Sequence, residues 1–424
     1  MFECTHEPRF IVRGGARLAG RVAVSGAKNS ALKLMSASLL APGTSVLHNV
    51  PDIQDVRTMR EVLEHLGARV TFADGTMSID TTAVESHVAP YELVQRMRAS
   101  IQIMGPLVAR FGRARVAMPG GCNLGPRKID FHLNGLTRLG ADVVIDHGFV
   151  DVRAERLRGA DITLEYPSVG ATENLLMAAV LAEGTTIIDN AAREPEIVDL
   201  GKLLISLGAD IEGAGTSRVV VRGVSELRAA EHTVVGDRIE AGTFLIAGAV
   251  TGGDVEVEGL SPHVLEIFLT KLRAIGVQVQ ENTRKIRAWG DPDYYSATDI
   301  ATLPYPGFPT DLQAQMMVLL SLAKGVSIVT ENVFENRFGF VDELIRLGAD
   351  IKVAGHHAVV TGGRALTGAT VRCTDLRAGA ALVLAGLRAE GCTEVRDIHH
   401  VDRGYEAFAE KLRSLGADIE RVAG

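Results

Sequence analysis

One cysteine of this chain lies in a stretch of glycine, proline and basic residues, MPGGCNLGPRKIDFH at 118–132. Cys122 follows two glycines and precedes Arg127 and Lys128. Neighbouring cations lower the pKa of a thiol and favour the nucleophilic thiolate. A cysteine that only packs a core normally has apolar neighbours. The stretch therefore predicts an accessible thiol that can act as an acid or a nucleophile.

Charged residues also recur at matching places along the chain. Six helix-to-strand junctions each contain a glycine, in segments such as SLLAPGTSVL and VLAEGTTIID. Roughly 14 residues, or about four helical turns, before each glycine stand Lys28, Arg98, Gly170, Asp237, Asp311 and Arg377. Helix starts carry unpaired N–H groups and a partial positive charge, which suit phosphate. The pattern predicts helix N-termini that share one anion-binding face, although such residues can also serve only as caps.

The elements that position these residues follow from a second repeat. The phrase LGA, or a variant of it, ends a helical pattern and starts a strand six times, at intervals of about 70 residues. Its glycines are Gly67, Gly140, Gly208, Gly276, Gly348 and Gly416. Glycine suits the left-handed position after a helix, and the alternating residues beyond it suit a strand. The repeat predicts six βαβ-type units, which fit the length best as two domains of three.

The composition excludes several classes of protein. The chain has 424 residues, of which 46% are hydrophobic and 23% charged, as in an ordinary globular protein. A net charge of −8 and 5% aromatic residues argue against nucleic acid as the main partner. No apolar run is long enough for a membrane span, and we recognise no secretory signal. The four cysteines and twelve histidines show no paired or metal-ligand spacing, which predicts reduced thiols, a cytoplasmic location and no metal site.

Nine segments together resemble one family. They are SGAKNSALK, MRASI, PGGCNLGPRKIDFH, PSVGATEN, AAREPEIVD, FPTDLQAQ, VFENRF, TDLRAGA and HHVDRGYE. These segments are similar to those of the UDP-N-acetylglucosamine enolpyruvyl transferases, within the EPSP synthase family of enolpyruvyl transferases. The similarity runs almost end to end, and the Gly-Gly-Cys segment followed by arginine and aspartate is its most specific part.

The resemblance implies a fold that agrees with the repeat count. It implies an inside-out α/β barrel in two domains, each of three βαβαββ units with helices inside and sheet outside. The first pair of strands would belong to the second domain. One domain would then cover 28–235 and carry Cys122, and the other would cover 1–27 plus 236–424. Two crossings near 24–28 and 235–238 would form a hinge beside the active-site cleft.

The resemblance also implies a reaction and the residues that perform it. The enolpyruvyl group of phosphoenolpyruvate (PEP) would move to the 3′-hydroxyl of UDP-N-acetylglucosamine, with release of phosphate. Cys122 would donate a proton to PEP or attack it, and Asp311 would take the sugar hydroxyl proton. Lys28 and Arg403 would complete the catalytic set. The PEP anion would be bound by Lys28, Asn29, Arg127, Arg377 and Arg403.

The second substrate would occupy helix starts near the cysteine. The UDP-N-acetylglucosamine contacts implied by the resemblance are Asn29, Arg98, Arg127, Lys128, Ile129, Asp130, Phe131, Ser168, Val169, Gly170, Asp311 and Val333. Gly170 replaces the charged residue of the repeat, which suits a backbone that approaches a diphosphate. Tyr166 stands where some relatives carry lysine, and Glu194 and Glu196 match family positions without a separable role.

Two other functions fit parts of the pattern. A 5-enolpyruvylshikimate-3-phosphate synthase would share the fold and the PEP chemistry, but that group lacks the Gly-Gly-Cys segment. A non-catalytic sugar-nucleotide-binding protein would be expected to lose acid, base and anion residues, whereas Cys122, Asp311 and Lys28 are all present. No GxGxxG motif follows a strand, so we expect no dinucleotide or other cofactor. The sequence leaves the oligomeric state open.

Overall fold

The computed structural model describes residues 7–118 and 129–423. The described residues contain 24 β-strands and 14 α-helices. The strands are β1 Arg9–Arg13, β2 Ala19–Ala23, β3 Thr44–His48, β4 Arg69–Ala73, β5 Thr76–Asp80, β6 Val88–Ala89, β7 Arg113–Ala117, β8 Asp142–Asp146, β9 Phe149–Arg153, β10 Asp161–Thr163, β11 Thr185–Asp189, β12 Asp210–Glu212, β13 Arg218–Arg222, β14 Glu231–Thr233, β15 Asp254–Glu258, β16 Gln278–Asn282, β17 Lys285–Trp289, β18 Ile300–Ala301, β19 Val326–Thr330, β20 Asp350–Ala354, β21 His357–Thr361, β22 Thr370–Arg372, β23 Cys392–Arg396 and β24 Asp418–Val422.

The helices alternate with these strands. They are α1 Lys28–Ala37, α2 Gln54–His65, α3 Tyr91–Arg96, α4 Met104–Phe111, α5 Asp130–Arg138, α6 Val169–Ala179, α7 Pro195–Ser206, α8 Arg238–Val250, α9 Glu266–Ile275, α10 Gln313–Leu322, α11 Val341–Arg346, α12 Leu376–Arg388, α13 His399–Asp402 and α14 Phe408–Ser414. Short 3₁₀ helices cover Ser38–Leu40, Arg98–Ile103, Pro262–Leu265, Pro292–Tyr294 and Thr310–Leu312. No helix among the described residues is long and apolar enough to cross a membrane.

The strands of the described residues form six sheets of four strands each, with one common pattern. In the sheet β10-β11-β13-β12, the first two strands are parallel and the others are antiparallel. The sheets β6-β7-β9-β8, β14-β3-β5-β4, β2-β15-β17-β16, β18-β19-β21-β20 and β22-β23-β1-β24 repeat this arrangement. Three sheets take a strand from a distant part of the chain, because β1 pairs with β23 and β24, β2 with β15, and β14 with β3.

The described residues pack as two units, each with its own hydrophobic core. The terminal unit comprises residues 7–25 and 236–423, and the inserted unit comprises residues 26–118 and 129–235. Three of the six sheets belong to each unit. Central helices fill the interior of each unit: every residue of α8 and α10 is buried, as are nine of the ten residues of α1. The predicted inside-out α/β barrel with six βαβαββ units is confirmed.

The twelve glycines that marked the repeat all adopt positive φ. The LGA glycines have φ values between 90° at Gly140 and 112° at Gly276. At Gly276, for example, the left-handed residue directly follows the last turn of α9. A residue with a Cβ rarely adopts this conformation, which explains why glycine recurs at the end of each helix.

Four of the six predicted helix starts lie at or beside the first residue of an α-helix. Lys28 begins α1, Gly170 is the second residue of α6, and Arg377 is the second of α12. Asp237 caps α8, because its carboxylate accepts hydrogen bonds from the N–H groups of Ile239 and Glu240. These side chains therefore lie at the starts of the central helices.

The other two predicted starts lie in 3₁₀ turns that precede an α-helix. Arg98 begins the turn Arg98–Ile103, and Asp311 lies within Thr310–Leu312. In the first case α4 begins only at Met104, which places Pro106 in the first turn of the α-helix. Proline is tolerated there because the N–H group it lacks would have no partner within the helix.

Backbone hydrogen bonds hold the two crossings between the units that the described residues contain. Within the terminal unit, Asp237 N–H donates to the carbonyl oxygen of Ser25 at 2.9 Å. Within the inserted unit, Ala27 N–H donates to the carbonyl oxygen of Val235 at 2.7 Å. A Cβ on Gly26 would lie only 1.7 Å from the carbonyl oxygen of Asn49, so this crossing requires glycine.

Candidate active site

The terminal unit brings Asp311 together with two arginines. The carboxylate oxygen Oδ1 of Asp311 accepts a hydrogen bond from Arg337 Nη2 at 3.0 Å. Oδ2 accepts from Arg377 Nε at 3.3 Å and from Arg377 Nη2 at 3.1 Å. Both arginines are 3% exposed, whereas the Asp311 side chain is 24% exposed. Asp311 is thus a partly exposed carboxylate that pairs with two buried arginines.

Arg377 keeps its charge in this buried place. Burial by itself lowers the pKa of its guanidinium, but the oxygens of Tyr405, Asp311 and Asp237 raise that pKa by more. The net pKa lies above its ordinary value. The backbone of Arg377 is also fixed, because Asp375 caps α12 by accepting from the Arg377 N–H at 2.8 Å. Arg377 is therefore a permanently charged and well-anchored group at the start of α12.

Arg403 and Val333 lie near residues that contact Arg377 or the neighbour of Asp311. Arg403 is half-buried at the end of α13, two residues before Tyr405, and the Tyr405 ring lies 5.3 Å from the Arg377 guanidinium carbon. The Val333 N–H donates to Glu331 at 2.8 Å, and the same carboxylate accepts from Thr310, the residue before Asp311. The terminal unit thus connects the predicted base, two predicted cations and the predicted sugar contact.

The inserted unit places Lys28 in a buried ion pair at the start of α1. Lys28 Nζ lies 2.8 Å from Asp55 Oδ2, and the two side chains are 11% and 4% exposed. Asn29 follows it and is half-buried. The carbonyl oxygen of Asn29 accepts from Lys33 Nζ at 2.7 Å, which fixes the first turn of the helix. Lys28 and Asn29 are therefore held in a defined place.

The predicted diphosphate contacts gather at the starts of α5 and α6. Ile129 lies before α5, whose first residues are Asp130 and Phe131, and Ser168 caps α6 through the Ala171 N–H. The two helices are linked because His132 Nδ1 lies 3.0 Å from Asn174 Nδ2. The sequence prediction thus selected two adjacent helix starts in one unit.

Gly170 and Arg98 also lie close to His132 in the first turn of α5. A Cβ on Gly170 would lie 3.2 Å from Gln102 Nε2 and 3.2 Å from His132 Nε2. Burial and, to a lesser extent, the nearby charge of Arg98 together lower the pKa of His132 to about 4, against the opposing effect of Asp130. His132 is therefore neutral at physiological pH, and positive charge at this site comes from Arg98 and the helix N-termini.

A buried acid lies one turn further into α6. Glu173 is fully buried, and burial raises its pKa to about 7. Lys33 opposes this rise from 3.4 Å, whereas Glu196 and Glu194 add to it. The two glutamates that the sequence matched to the family therefore act on a buried carboxyl group of the inserted unit.

Four residues of these clusters were absent from the sequence-predicted set. They are Asp55, Arg337, Tyr405 and Glu173. The segment VFENRF carried Arg337 and HHVDRGYE carried Tyr405, but neither residue lies at a repeat position. Asp55 lies in the first turn of α2, where an acid is ordinary. Their roles depend on tertiary contacts that spacing along the chain does not encode.

Three predicted residues lie outside the described residues, namely Cys122, Arg127 and Lys128. Among the residues that are described, no group of three or more His, Cys, Asp and Glu side chains could hold a metal ion. What the described residues offer is a carboxylate beside buried arginines in one unit, and polarised helix starts with Lys28 and Arg98 in the other. Such groups suit proton removal from a hydroxyl and the binding of anions.

Known proteins resemble this chain along almost its whole length. The family model for EPSP synthase (3-phosphoshikimate 1-carboxyvinyltransferase) matches residues 12–412. UDP-N-acetylglucosamine 1-carboxyvinyltransferase 2 of Carboxydothermus hydrogenoformans is 54% identical over 98% of this chain and 99% of its own. The Corynebacterium jeikeium UDP-N-acetylglucosamine 1-carboxyvinyltransferase is 53% identical over 97% of this chain and 99% of its own.

Solved structures agree with this similarity. The enolpyruvyl transferase NikO from Streptomyces tendae superposes with a TM-score of 0.90 at 29% identity, covering 99% of this chain and all of NikO. EPSP synthase from Acinetobacter baumannii shares the fold, with a TM-score of 0.74 at 18% identity, covering 98% of this chain and 100% of that one. The chain therefore belongs to the EPSP synthase family of enolpyruvyl transferases and, within it, to the UDP-N-acetylglucosamine 1-carboxyvinyltransferases.

Proposed function

We propose that this enzyme transfers the enolpyruvyl group of PEP to the 3′-hydroxyl of UDP-N-acetylglucosamine and releases phosphate. This is the first committed step of peptidoglycan synthesis, and it serves cell-wall formation, cell shape and division. The observation that carries the proposal is that more than half of all residues are identical to enzymes of that name over almost the full length. The pairing of Asp311 with two buried arginines fits the chemistry.

The reaction is an addition followed by an elimination. A proton adds to the methylene carbon of PEP, and the 3′-oxygen of the sugar adds to C2 as it loses its own proton. The tetrahedral intermediate then loses a proton from the new methyl group, and the bond between C2 and the phosphate oxygen breaks. Phosphate leaves with the bridging oxygen. Each positioned acid or base contributes about 10²–10⁴ to the rate of such a step.

We assign the proton transfers to two residues. Asp311 takes the proton of the sugar hydroxyl, since its carboxylate is exposed on one side and held by Arg337 and Arg377 on the other. Cys122 supplies the proton to PEP and can form an adduct at C2, an assignment that rests on the sequence around it. Lys28 and Arg403 stabilise the charge that develops on the leaving phosphate.

The anionic parts of the substrates bind to cations and helix starts. PEP carries a phosphate and a carboxylate, and arginine binds such groups through two parallel hydrogen bonds. We assign PEP to Lys28, Asn29, Arg127, Arg377 and Arg403. The UDP part lies against Arg98, Arg127, Lys128, Ile129, Asp130, Phe131, Ser168, Val169 and Gly170. The sugar contacts Asn29, Asp311 and Val333.

We also propose that the two crossings act as a hinge, near 24–28 and 235–238. The domains on either side would be 28–235 and 1–27 plus 236–424. UDP-N-acetylglucosamine would bind first, and closure about the hinge would exclude water from the reaction. The enzyme would act in the cytoplasm on these two small molecules, without a cofactor.

Release of phosphate from PEP tests the proposed function. The enzyme should release phosphate with UDP-N-acetylglucosamine as acceptor and none with shikimate 3-phosphate, which should also fail to compete. Release that depends on shikimate 3-phosphate would assign the chain to the sister activity. Binding of UDP-N-acetylglucosamine without any turnover would assign it to the non-catalytic class.

A further inference from the structure

Tyr405 is the aromatic residue that lies beside Arg377 in the terminal unit. It is 3% exposed, and its ring centroid lies 5.3 Å from the guanidinium carbon of Arg377. Its hydroxyl oxygen lies 2.9 Å from Thr243 Oγ1 on α8 and 3.2 Å from Gln315 Nε2 on α10. Arg377 itself lies on α12. Tyr405 therefore contacts a side chain from each of the three central helices of this unit.

The available donors fix the direction of these hydrogen bonds. The Thr243 hydroxyl donates its one proton to the carbonyl oxygen of Ile239 at 2.8 Å, so Thr243 Oγ1 can only accept from its other neighbours. Gln315 Nε2 donates to both Thr243 Oγ1, at 3.1 Å, and the Tyr405 oxygen. The phenol proton of Tyr405 then goes to Thr243. The phenol oxygen is left with acceptor capacity for the neighbouring guanidinium of Arg377.

This arrangement decides which edge of Arg377 is available. Nε and Nη2 both donate to Asp311 Oδ2. Nη1 is buried and makes no hydrogen bond with any described residue. A buried guanidinium N–H without a partner is costly, and no described residue accepts from Nη1. The oxyanion of a substrate can supply the missing acceptor.

We propose that Tyr405, supported by Thr243 and Gln315, is a positioning residue that fixes the Arg377 guanidinium so that one edge holds Asp311 and Nη1 faces the substrate anion. The inference rests on the proposed function, because it deepens the description of the same site. It differs from a general packing role, since the phenol hydroxyl would affect the KM for PEP through the orientation of Arg377. Removal of the hydroxyl leaves the ring and its contact with the arginine in place.

The test compares single hydroxyl deletions. Tyr405→Phe should raise the KM for PEP about tenfold, since a hydrogen bond to a charged group contributes roughly 1.5–3 kcal/mol, and should leave the Kd for UDP-N-acetylglucosamine unchanged. Tyr295→Phe is the matched control, because Tyr295 is a buried tyrosine of the same unit whose hydroxyl donates to the Ala249 carbonyl oxygen. This control should lower stability to a similar extent without changing the KM for PEP.

A double-mutant cycle separates positioning from a loss of stability. If Tyr405 acts through Arg377, the variant with both Tyr405→Phe and Arg377→Lys should have nearly the same KM for PEP as Arg377→Lys alone. A KM for Tyr405→Phe within twofold of the wild-type value, or effects that multiply in the cycle, would overturn the proposal. Should Tyr405→Phe fail to fold, Thr243→Val removes the acceptor of the phenol proton and takes its place, with a smaller increase in KM.

The same series keeps the two proposals apart. Wild-type enzyme measured in parallel must release phosphate in the presence of UDP-N-acetylglucosamine. Absence of that release would contradict the proposed function. Normal release by the wild type together with an unchanged KM in Tyr405→Phe would contradict only the positioning role.

Discussion

At the residue scale, the terminal unit holds Asp311 as a partly exposed carboxylate beside Arg337 and Arg377. Asp311 accepts three hydrogen bonds from two arginines that are almost completely buried. Buried guanidinium groups without a counter-charge are strongly unfavourable, so Asp311 serves the stability of the site as well as its chemistry. A variant at this position must therefore keep the shape of the side chain and remove only its charge.

Asp311→Asn is expected to lower kcat by about 10²–10⁴, the usual contribution of a positioned base. The Kd for UDP-N-acetylglucosamine should change much less, because the diphosphate contacts that we propose belong to the inserted unit. Steady-state kinetics and calorimetric titration measure the two quantities. Asp402→Asn is a suitable control, since its carboxylate pairs with Arg421 on the surface. An Asp311→Asn enzyme with normal kcat would remove Asp311 from the mechanism.

Cys122 is expected to react with fosfomycin, a small electrophilic mimic of PEP. The surrounding glycines and the cations Arg127 and Lys128 favour an accessible thiolate. Intact mass after incubation should show a single adduct, and peptide mapping should place it on Cys122. The Cys122→Ser variant should stay unmodified. An adduct on Cys392, which is exposed, in place of Cys122 would contradict the assigned chemistry.

The candidate site residues that the sequence could predict are those that lie at repeat positions. Lys28, Asp311 and Arg377 were selected because each stands near a helix start, and the structure places them there. Asp55, Arg337 and Tyr405 were missed, since they reach the same clusters from other elements. An ion pair such as Lys28–Asp55 forms only when α2 packs beside α1, so no local sequence pattern predicts it.

At the element scale, two central helices carry buried acids near their starts. Glu173 lies in the first half of α6 and Glu240 in the first turn of α8. Burial raises the pKa of each to about 7, although Lys33 and Lys411 oppose the rise. Lys411 Nζ lies 2.6 Å from Glu240 Oε1, and Ser25 N–H donates to Oε2 at 2.7 Å. Both helices thus begin beside a carboxyl group that titrates near neutral pH.

These acids predict how stability depends on pH. The folded protein retains protons that the unfolded chain releases near pH 4.5, so the stabilising contribution is complete below about pH 4.5 and is lost as pH rises through about 7. Glu173→Gln and Glu240→Gln should each reduce the loss of unfolding free energy between about pH 4.5 and 7. Urea denaturation across that pH range measures it, with the exposed Glu183→Gln as control. Equal slopes in wild type and both variants would show that neither acid titrates as described.

The order of elements was largely predictable from the sequence, but their exact form was not. The recurring glycines located the helix ends, because a left-handed residue has few alternatives to glycine. The 3₁₀ turns at Arg98 and Asp311 were not foreseen, since a charged residue gives no signal that separates them from an α-helix start. At Arg98 the decisive feature is Pro106, which fits the first turn of the later helix.

At the scale of the whole molecule, the described residues cross twice between the two units, at 25–26 and at 235–236. Ser25 is the last residue of the terminal unit before the first crossing. Its hydroxyl accepts a hydrogen bond from Lys411 Nζ at 2.6 Å and donates one to Glu406. On the other side, Ala27 is bonded to Val235 within the inserted unit. Each unit thus holds its own end of the crossing firmly, and we expect rotation to be confined to the few residues between.

Small-angle scattering should detect closure about these crossings. We expect UDP-N-acetylglucosamine to reduce the radius of gyration and PEP alone to have little effect, because we propose that the sugar nucleotide binds first. UDP alone is a useful control, since it lacks the sugar that would reach Asp311. A radius of gyration that stays constant at saturating UDP-N-acetylglucosamine would contradict the proposed hinge.

The most direct test of the proposed reaction follows the bridging oxygen of PEP. PEP carrying a heavy-oxygen label at the bridge between C2 and phosphorus is incubated with the enzyme and UDP-N-acetylglucosamine, and both products are analysed by mass spectrometry. We expect the label in the released phosphate and an unlabelled enolpyruvyl ether on the sugar nucleotide. Label retained in the three-carbon fragment, or a phosphorylated sugar nucleotide, would mean that the P–O bond breaks and would contradict enolpyruvyl transfer.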